Sequence, residues 1–157
     1  GAADGAGLGA QFLRHLQRTR LLLHLVDISS MGVDGGMGGG VEGATPVEQV
    51  RAIEHELGKH DPELLQKPRW LVLNKSDLLP EDKREKILRA FVRKLGWKGK
   101  TFTNSALTGE GCPALVYAVM DHLDEQQRLA RLMMLRLTEI GDEAVGNVGT
   151  AAREAST

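Results

Sequence analysis

The chain has 157 residues, of which 41% are hydrophobic, with a net charge of −1 and a single cysteine, Cys112. That length and apolar content suit one globular domain. The charge balance argues against a general polyanion binder, and one cysteine excludes a disulfide framework within the chain. No apolar run approaches the roughly 20 residues of a membrane span, and no signal peptide is visible, so a soluble, cytoplasmic protein is expected.

Leu8, Phe12, Leu13 and Leu16 lie on one stripe and predict a helix over residues 8–19. Residues 21–28 form a continuous apolar run, which predicts a strand covered on both faces. Asp27, near its end, is expected to hold a loop rather than a ligand. His24, inside the run, is expected to be a satisfied core residue. Residues 29–43 contain Gly35-Gly36-Met37-Gly38-Gly39-Gly40 and predict a flexible inserted loop. A helix then starts at Thr45-Pro46-Val47-Glu48. Thr45 suits the N-cap, Pro46 the first helical position, and Glu48 completes a capping box. Val47, Val50, Ile53 and Leu57 make its apolar stripe.

Residues 69–73 predict the next strand, and Asn74-Lys75-Ser76-Asp77 stands at its tip. The chemistry of this tetrad suits a guanine base. A carboxylate at Asp77 can accept from both N1–H and the exocyclic amine of guanine, a bidentate charge-assisted pair. Adenine offers no such donor pair. Asn74 can tie adjacent loops together and reach the base edge with its amide. Lys75 can lay its aliphatic stem over the base plane. The plainer alternative is a polar turn in which Ser76 or Asp77 caps the following helix.

That helix is predicted over residues 80–95, with Glu81 and Asp82 in its first turn, Ile87, Leu88, Phe91, Val92 and Leu95 on its buried face, and Gly96 as its stop. Residues 101–103 predict a third strand. It leads into Asn104-Ser105-Ala106-Leu107-Thr108-Gly109-Glu110-Gly111, whose small Ala106 lets a backbone N–H approach guanine O6. An ordinary glycine-containing loop is the competing explanation. Two such segments, in this order and each at a strand end, favour base recognition over either alternative. A third packed helix is predicted over residues 113–125, with Leu115, Val119 and Leu123 inward. Residues 126–140 extend it, and residues 141–157, rich in small residues, are expected to be a disordered tail.

This β-α-β-α-β-α order implies an α/β fold with a parallel sheet, flanking helices and right-handed crossovers. Ligands of such sheets bind beyond the carboxyl ends of the strands, where Asp27, residues 74–77 and residues 105–107 all fall. The five histidines show no pairing at metal-ligand spacing, so no metal site is expected within the chain.

Four stretches resemble the Obg (CgtA) family of GTPases. Residues 1–9, Gly1-Ala2-Ala3-Asp4-Gly5-Ala6-Gly7-Leu8-Gly9, resemble the family's switch II segment. Phe12-Leu13-Arg14-His15-Leu16 and Leu22-Leu23-His24-Leu25-Val26-Asp27 resemble the helix and strand that come after switch II in the family. Lys67-Pro68-Arg69-Trp70-Leu71-Val72-Leu73-Asn74-Lys75-Ser76-Asp77 is the closest match, and Ser105-Ala106-Leu107-Thr108-Gly109-Glu110-Gly111 completes the set. The resemblance covers residues 1–125 and implies the C-terminal half of a partial Ras-like P-loop GTPase domain. It implies GTP or GDP as ligand, Mg2+ in the intact protein, and assembly of the large ribosomal subunit (rRNA and protein) as the setting. Asn74, Lys75, Asp77, Ser105, Ala106 and Leu107 would contact the nucleotide.

No Gly-x-x-x-x-Gly-Lys-Ser/Thr phosphate loop occurs in the chain, and the Asp-x-Pro-Gly that precedes switch II in the family is absent. The expectation is therefore a chain that starts after those elements. Water would attack the γ-phosphate only in the intact domain, where magnesium and the phosphate loop hold the charge. A different class stays open: a non-catalytic fragment that serves as an RNA- or protein-binding module.

Overall fold

The computed structural model describes residues 10–32 and 44–154. Its elements in chain order are α1 (Ala10–Gln17), β1 (Leu22–Asp27), a 3-10 turn (Ser29–Gly32), α2 (Pro46–His60), a short α3 (Glu63–Gln66) and β2 (Arg69–Asn74). A second 3-10 turn (Ser76–Leu78), α4 (Glu81–Leu95), β3 (Thr101–Thr103) and α5 (Cys112–Glu154) complete the chain. The fold is mixed α/β: a three-stranded parallel sheet in the order β1-β2-β3, flanked by helices, as expected for a partial Ras-like domain. The switch-like segment before α1 and the glycine run at 35–40 lie outside the described residues.

Local chemistry explains the helix boundaries. The Thr45 hydroxyl accepts the Glu48 N–H at 3.2 Å, and the Glu48 carboxylate accepts the Thr45 N–H at 2.7 Å, closing the expected capping box ahead of Pro46. Helix α4 ends on Gly96 at φ 67°, a left-handed C-cap that glycine adopts without a Cβ penalty. Its N-cap is Pro80, with no side-chain cap hydrogen bond. Neither Ser76 nor Asp77 therefore caps α4; both lie in the 3-10 turn that joins β2 to that helix.

Strand β2 is central, and Trp70, Leu71, Val72 and Leu73 are all buried. On one face of the sheet Val26, Leu71 and Leu73 meet Val50 of α2 and Phe91 and Leu95 of α4, with Ile28, Met31 and Leu79 closing the cluster. Each such side chain contributes about 1.5–3 kcal/mol of transfer free energy. A smaller cluster joins Leu13 of α1, Leu57 of α2 and Leu64 of α3.

Strand β1 departs from expectation. Its apolar run is continuous, yet only Leu22, His24 and Val26 are buried, while Leu23 and Leu25 stand 40% and 59% exposed. The cause is position: β1 is the edge strand, and among the described residues only β2 pairs with it. Phe12, expected on the buried stripe of α1, is likewise exposed, and Leu13 carries that helix's packing.

The α/β unit runs to Leu115, and a second unit begins at Val116 within α5. Where a tail without structure was expected from residue 141, the helix continues to Glu154. Ala144, Ala151, Ala152, Glu143 and Glu154 favour helix, Gly141, Gly146 and Gly149 disfavour it, and no proline interrupts. Among the described residues no helix is long and apolar enough to cross a membrane.

Candidate functional site

The parallel register brings three strand ends level. Asp27 pairs with Asn74, and Leu73 pairs with Val26 on one side and Thr103 on the other. Backbone hydrogen bonds then carry the ladder past the sheet. The Ile28 N–H donates to the Asn74 carbonyl at 3.1 Å, the Asn104 N–H to Leu73 at 2.9 Å, and the Ser76 N–H to Asn104 at 3.2 Å. The turns beyond all three strands are thus laced together before any side chain acts.

The tetrad builds on that frame. The Oδ1 of Asn74 accepts the Ala106 N–H at 3.0 Å, so the expected tie between adjacent loops is present. The same bond engages the N–H that was expected to face guanine O6, and donation to a base there would have to be shared with Asn74. Lys75 stands at φ 68°, the only non-glycine residue at positive φ among the described residues. Its Nζ reaches the Asp27 Oδ2 at 2.5 Å, with both side chains about half exposed. Ser76 is buried. Asp77 is half-buried, and its Oδ1 is shielded and accepts no hydrogen bond. A shielded carboxylate oxygen without a donor is costly.

The second loop is held by its own side chains and by two glycines. The buried Ser105 takes the Thr108 N–H on its hydroxyl at 3.1 Å, and its N–H donates to the Glu110 carbonyl at 2.9 Å. Cys112 donates through Sγ to the Ser105 carbonyl and receives the Asn104 amide, each at 3.6 Å. Gly109 and Gly111 sit at φ 82° and 74°, and a Cβ on Gly111 would lie 2.1 Å from the Thr103 carbonyl oxygen. Ala106 and Leu107 are exposed at the tip of this loop. Arg84 of α4 reaches the Glu110 carboxylate at 3.2 Å and joins the helix to the loop.

Asp27 holds a loop, as expected. Its Oδ1 accepts the Ser29 N–H at 3.0 Å and the Ser29 hydroxyl at 2.6 Å. Burial works to raise its carboxyl, but the hydrogen bonds from Lys75 and Ser29 outweigh it and hold the group below the ordinary carboxylate range. The Asp27–Lys75 pair was not foreseen. The signal that finds it is the register, which sets the last residue of β1 beside the residue that precedes Lys75.

Six residues from the two expected segments, Asn74, Lys75, Asp77, Ser105, Ala106 and Leu107, are thereby gathered in the two laced turns beyond β2 and β3. An apolar cleft of about 260 Å³ lies elsewhere, around β1, lined by Phe12, Leu16, His24, Ile53, Leu57 and Arg69. Its lining is chiefly leucine, and of its polar members Arg69 is engaged with Glu54 and Thr19 with the Leu16 carbonyl. Among the described residues no group of histidine, cysteine and acidic side chains is arranged to hold a metal ion. No protein-family model matches the chain.

Proposed function

We propose that this chain is the base-reading half of a guanine-nucleotide-binding domain. The observation that carries the proposal is the 3.0 Å bond from the Ala106 N–H to Asn74 Oδ1, which joins the two expected segments into one site. Asp77 stands in the same turn and is half-buried. In this site Asp77 selects guanine through its N1–H and amine, Asn74 braces the loops, Lys75 flanks the base, and residues 105–107 close over its edge. GTP and GDP are the natural ligands, with Mg2+ and the triphosphate held by elements of the intact domain. The resemblance to the Obg family extends the proposal to GTP hydrolysis in the intact protein and to a role in assembly of the large ribosomal subunit. The sequence stretches alone support that extension.

The test is nucleoside choice. Amide resonances of residues 74–78 and 104–108 are followed by NMR as guanosine, xanthosine and adenosine are added to the 157-residue chain. Without a cradle for the triphosphate, binding of guanosine in the millimolar range is expected. The Asp77→Asn variant should lose guanosine by about 2–3 kcal/mol and gain xanthosine, whose carbonyl replaces the amine and accepts from Asn. Equal shifts with all three nucleosides, or an Asp77→Asn profile identical to wild type, would sink the proposal.

A further inference from the structure

We infer that Asp27 is the residue that positions Lys75 against the base, anchoring the lysine ammonium at the end of β1 so that its stem flanks the site built by Asn74, Asp77 and Ala106. This inference rests on the guanine assignment proposed above. Three features of the geometry carry it.

The first is the backbone of Lys75. At φ 68° a residue with a Cβ is strained, and glycine would adopt the same angle freely. The turn geometry therefore does not explain a lysine here, whereas the reach of its side chain does.

The second is the division of labour on Asp27. Its Oδ1 is fixed by two donors from Ser29, at 3.0 and 2.6 Å. That leaves Oδ2 for Lys75 Nζ at 2.5 Å. The carboxylate is held at one oxygen and presents the other, so it acts as an anchored acceptor rather than a mobile counter-ion.

The third is exposure. The two side chains stand 50% and 46% exposed. An ion pair so open to water adds little to folding stability, so orientation of the lysine is the effect left for it. The register sets Asp27 directly beside Asn74, at the strand end from which the tetrad departs.

The test uses the 157-residue chain and guanosine 5′-monophosphate, with adenosine 5′-monophosphate as control, monitored by amide shifts in residues 74–78 and 104–108. Asp27→Asn keeps an acceptor oxygen for Ser29 and removes the charge that faces Lys75. It should weaken guanosine monophosphate about threefold, the scale of an exposed ion pair, without changing the preference for guanine over adenine. Lys75→Met should weaken binding to the same extent, and the double variant no further. Ser29→Ala keeps the Ser29 N–H bond to the carboxylate and its charge, and should weaken binding less than Asp27→Asn does.

Wild-type affinity in Asp27→Asn would overturn the inference. So would an equal loss in Ser29→Ala, which would make Asp27 a loop brace and nothing more. A wild-type chain that fails to distinguish the two monophosphates overturns the guanine assignment, and the positioning role with it. Discrimination kept by wild type alongside an unaffected Asp27→Asn removes the positioning role alone.

Discussion

The sheet carries an ion pair at each end, and the two differ in every respect but their chemistry. At the amino end of β2, Arg69 meets Glu54 of α2 at 2.7 Å, with side chains only 13% and 18% exposed. The Arg69 guanidinium lies over the Trp97 ring at 4.8 Å, and Arg51 donates both to Glu54 at 2.8 Å and to the Leu95 carbonyl at 2.6 Å. At the carboxyl end Lys75 meets Asp27 with half of each side chain in water. Removing one partner of a buried pair strands a charge and costs several kcal/mol, while an exposed pair is worth between nothing and about 1 kcal/mol. The difference teaches where this fold keeps its rigidity. The foot is held by part-buried side-chain charge. The top is held by backbone, through the bonds that link Ile28, Asn74, Ser76 and Asn104, and its charged pair stands half in water.

If the top depends on backbone, its weakest point is Gly111. Gly111→Ala forces a Cβ to 2.1 Å from the Thr103 carbonyl oxygen at a φ of 74°. Strain and overpacking together should cost about 4 kcal/mol, lowering the melting temperature by roughly 10 °C. Urea unfolding measures the loss. A cost under about 1 kcal/mol, the low end of such strain, would mean that the loop after β3 yields easily and that the backbone does not lock the top.

The next largest effect belongs to the foot. Glu54→Ala leaves the Arg69 guanidinium buried without a counter-charge, and should cost about 3 kcal/mol. The Nε and Nη1 of Arg69 already donate to nothing in the structure, so no spare acceptor waits to compensate. Lys75→Met at the other end, which removes only the exposed pair, should cost less than about 1 kcal/mol. Equal losses in the two variants would erase the distinction between the ends.

The foot should also answer to pH. His24 is buried, and its Nδ1 makes no hydrogen bond, contrary to the satisfied core histidine expected from the sequence. Burial, and then the Arg69 charge, push its pKa below the ordinary 6.5, against a smaller opposing pull from Glu54. The unfolded chain therefore takes up the proton first. Stability is full above about pH 6.5, falls as pH drops below it, and levels off once the folded imidazole also protonates. Melting curves from about pH 7.5 downward should show this decline, smaller than either substitution above, and His24→Gln should flatten it. The top contributes in a lower window. Asp27, held below the ordinary carboxylate range, loses its contribution only as pH falls through its own depressed pKa.

Much of this arrangement is legible in the chain because it is local. The capping box at Thr45 and Glu48, the Gly96 stop and the strand that carries the tetrad can be read from spacing over a few residues. The pairs that separate the two ends are not local. Arg69 and Glu54 lie on different elements, as do Lys75 and Asp27, and only the β1–β2 register and the seat of α2 on the sheet bring them together. The edge position of β1 is equally silent in sequence. Leu22, Leu23, His24, Leu25 and Val26 read as a strand buried on both faces, and the covering of one face depends on neighbours the run itself does not encode. The short α3 and the turn at residues 76–78 are each too brief to show a period. The left-handed backbone of Lys75 is invisible for a sharper reason. Lysine has no preference for that conformation, so composition points away from it, and it surfaces only when the turn between Asn74 and Ser76 is built.

That residue gives the smallest and sharpest prediction. Lys75→Gly relieves the strain of a Cβ at φ 68°, a gain of about 1 kcal/mol or more. Against it stand the loss of an exposed ion pair, up to about 1 kcal/mol, and the greater freedom of glycine in the unfolded chain, roughly 0.5–1 kcal/mol. These terms nearly cancel, and the urea midpoint should stay within about 0.5 kcal/mol of wild type when converted to stability. Under the proposed guanine reading, binding of guanosine monophosphate should nonetheless weaken, because no lysine stem is left to flank the base. Lys75→Ala separates the terms. It keeps the strained backbone and loses the pair, so it should be the less stable of the two while binding equally poorly. A residue whose removal leaves stability untouched and binding impaired is held in strain for a ligand, as the open top of the sheet requires and the buried foot does not. If Lys75→Gly instead costs more than about 1 kcal/mol, beyond the worth of an exposed pair, the lysine acts at the top as Arg69 does at the foot, and the open end of the sheet is a structural joint.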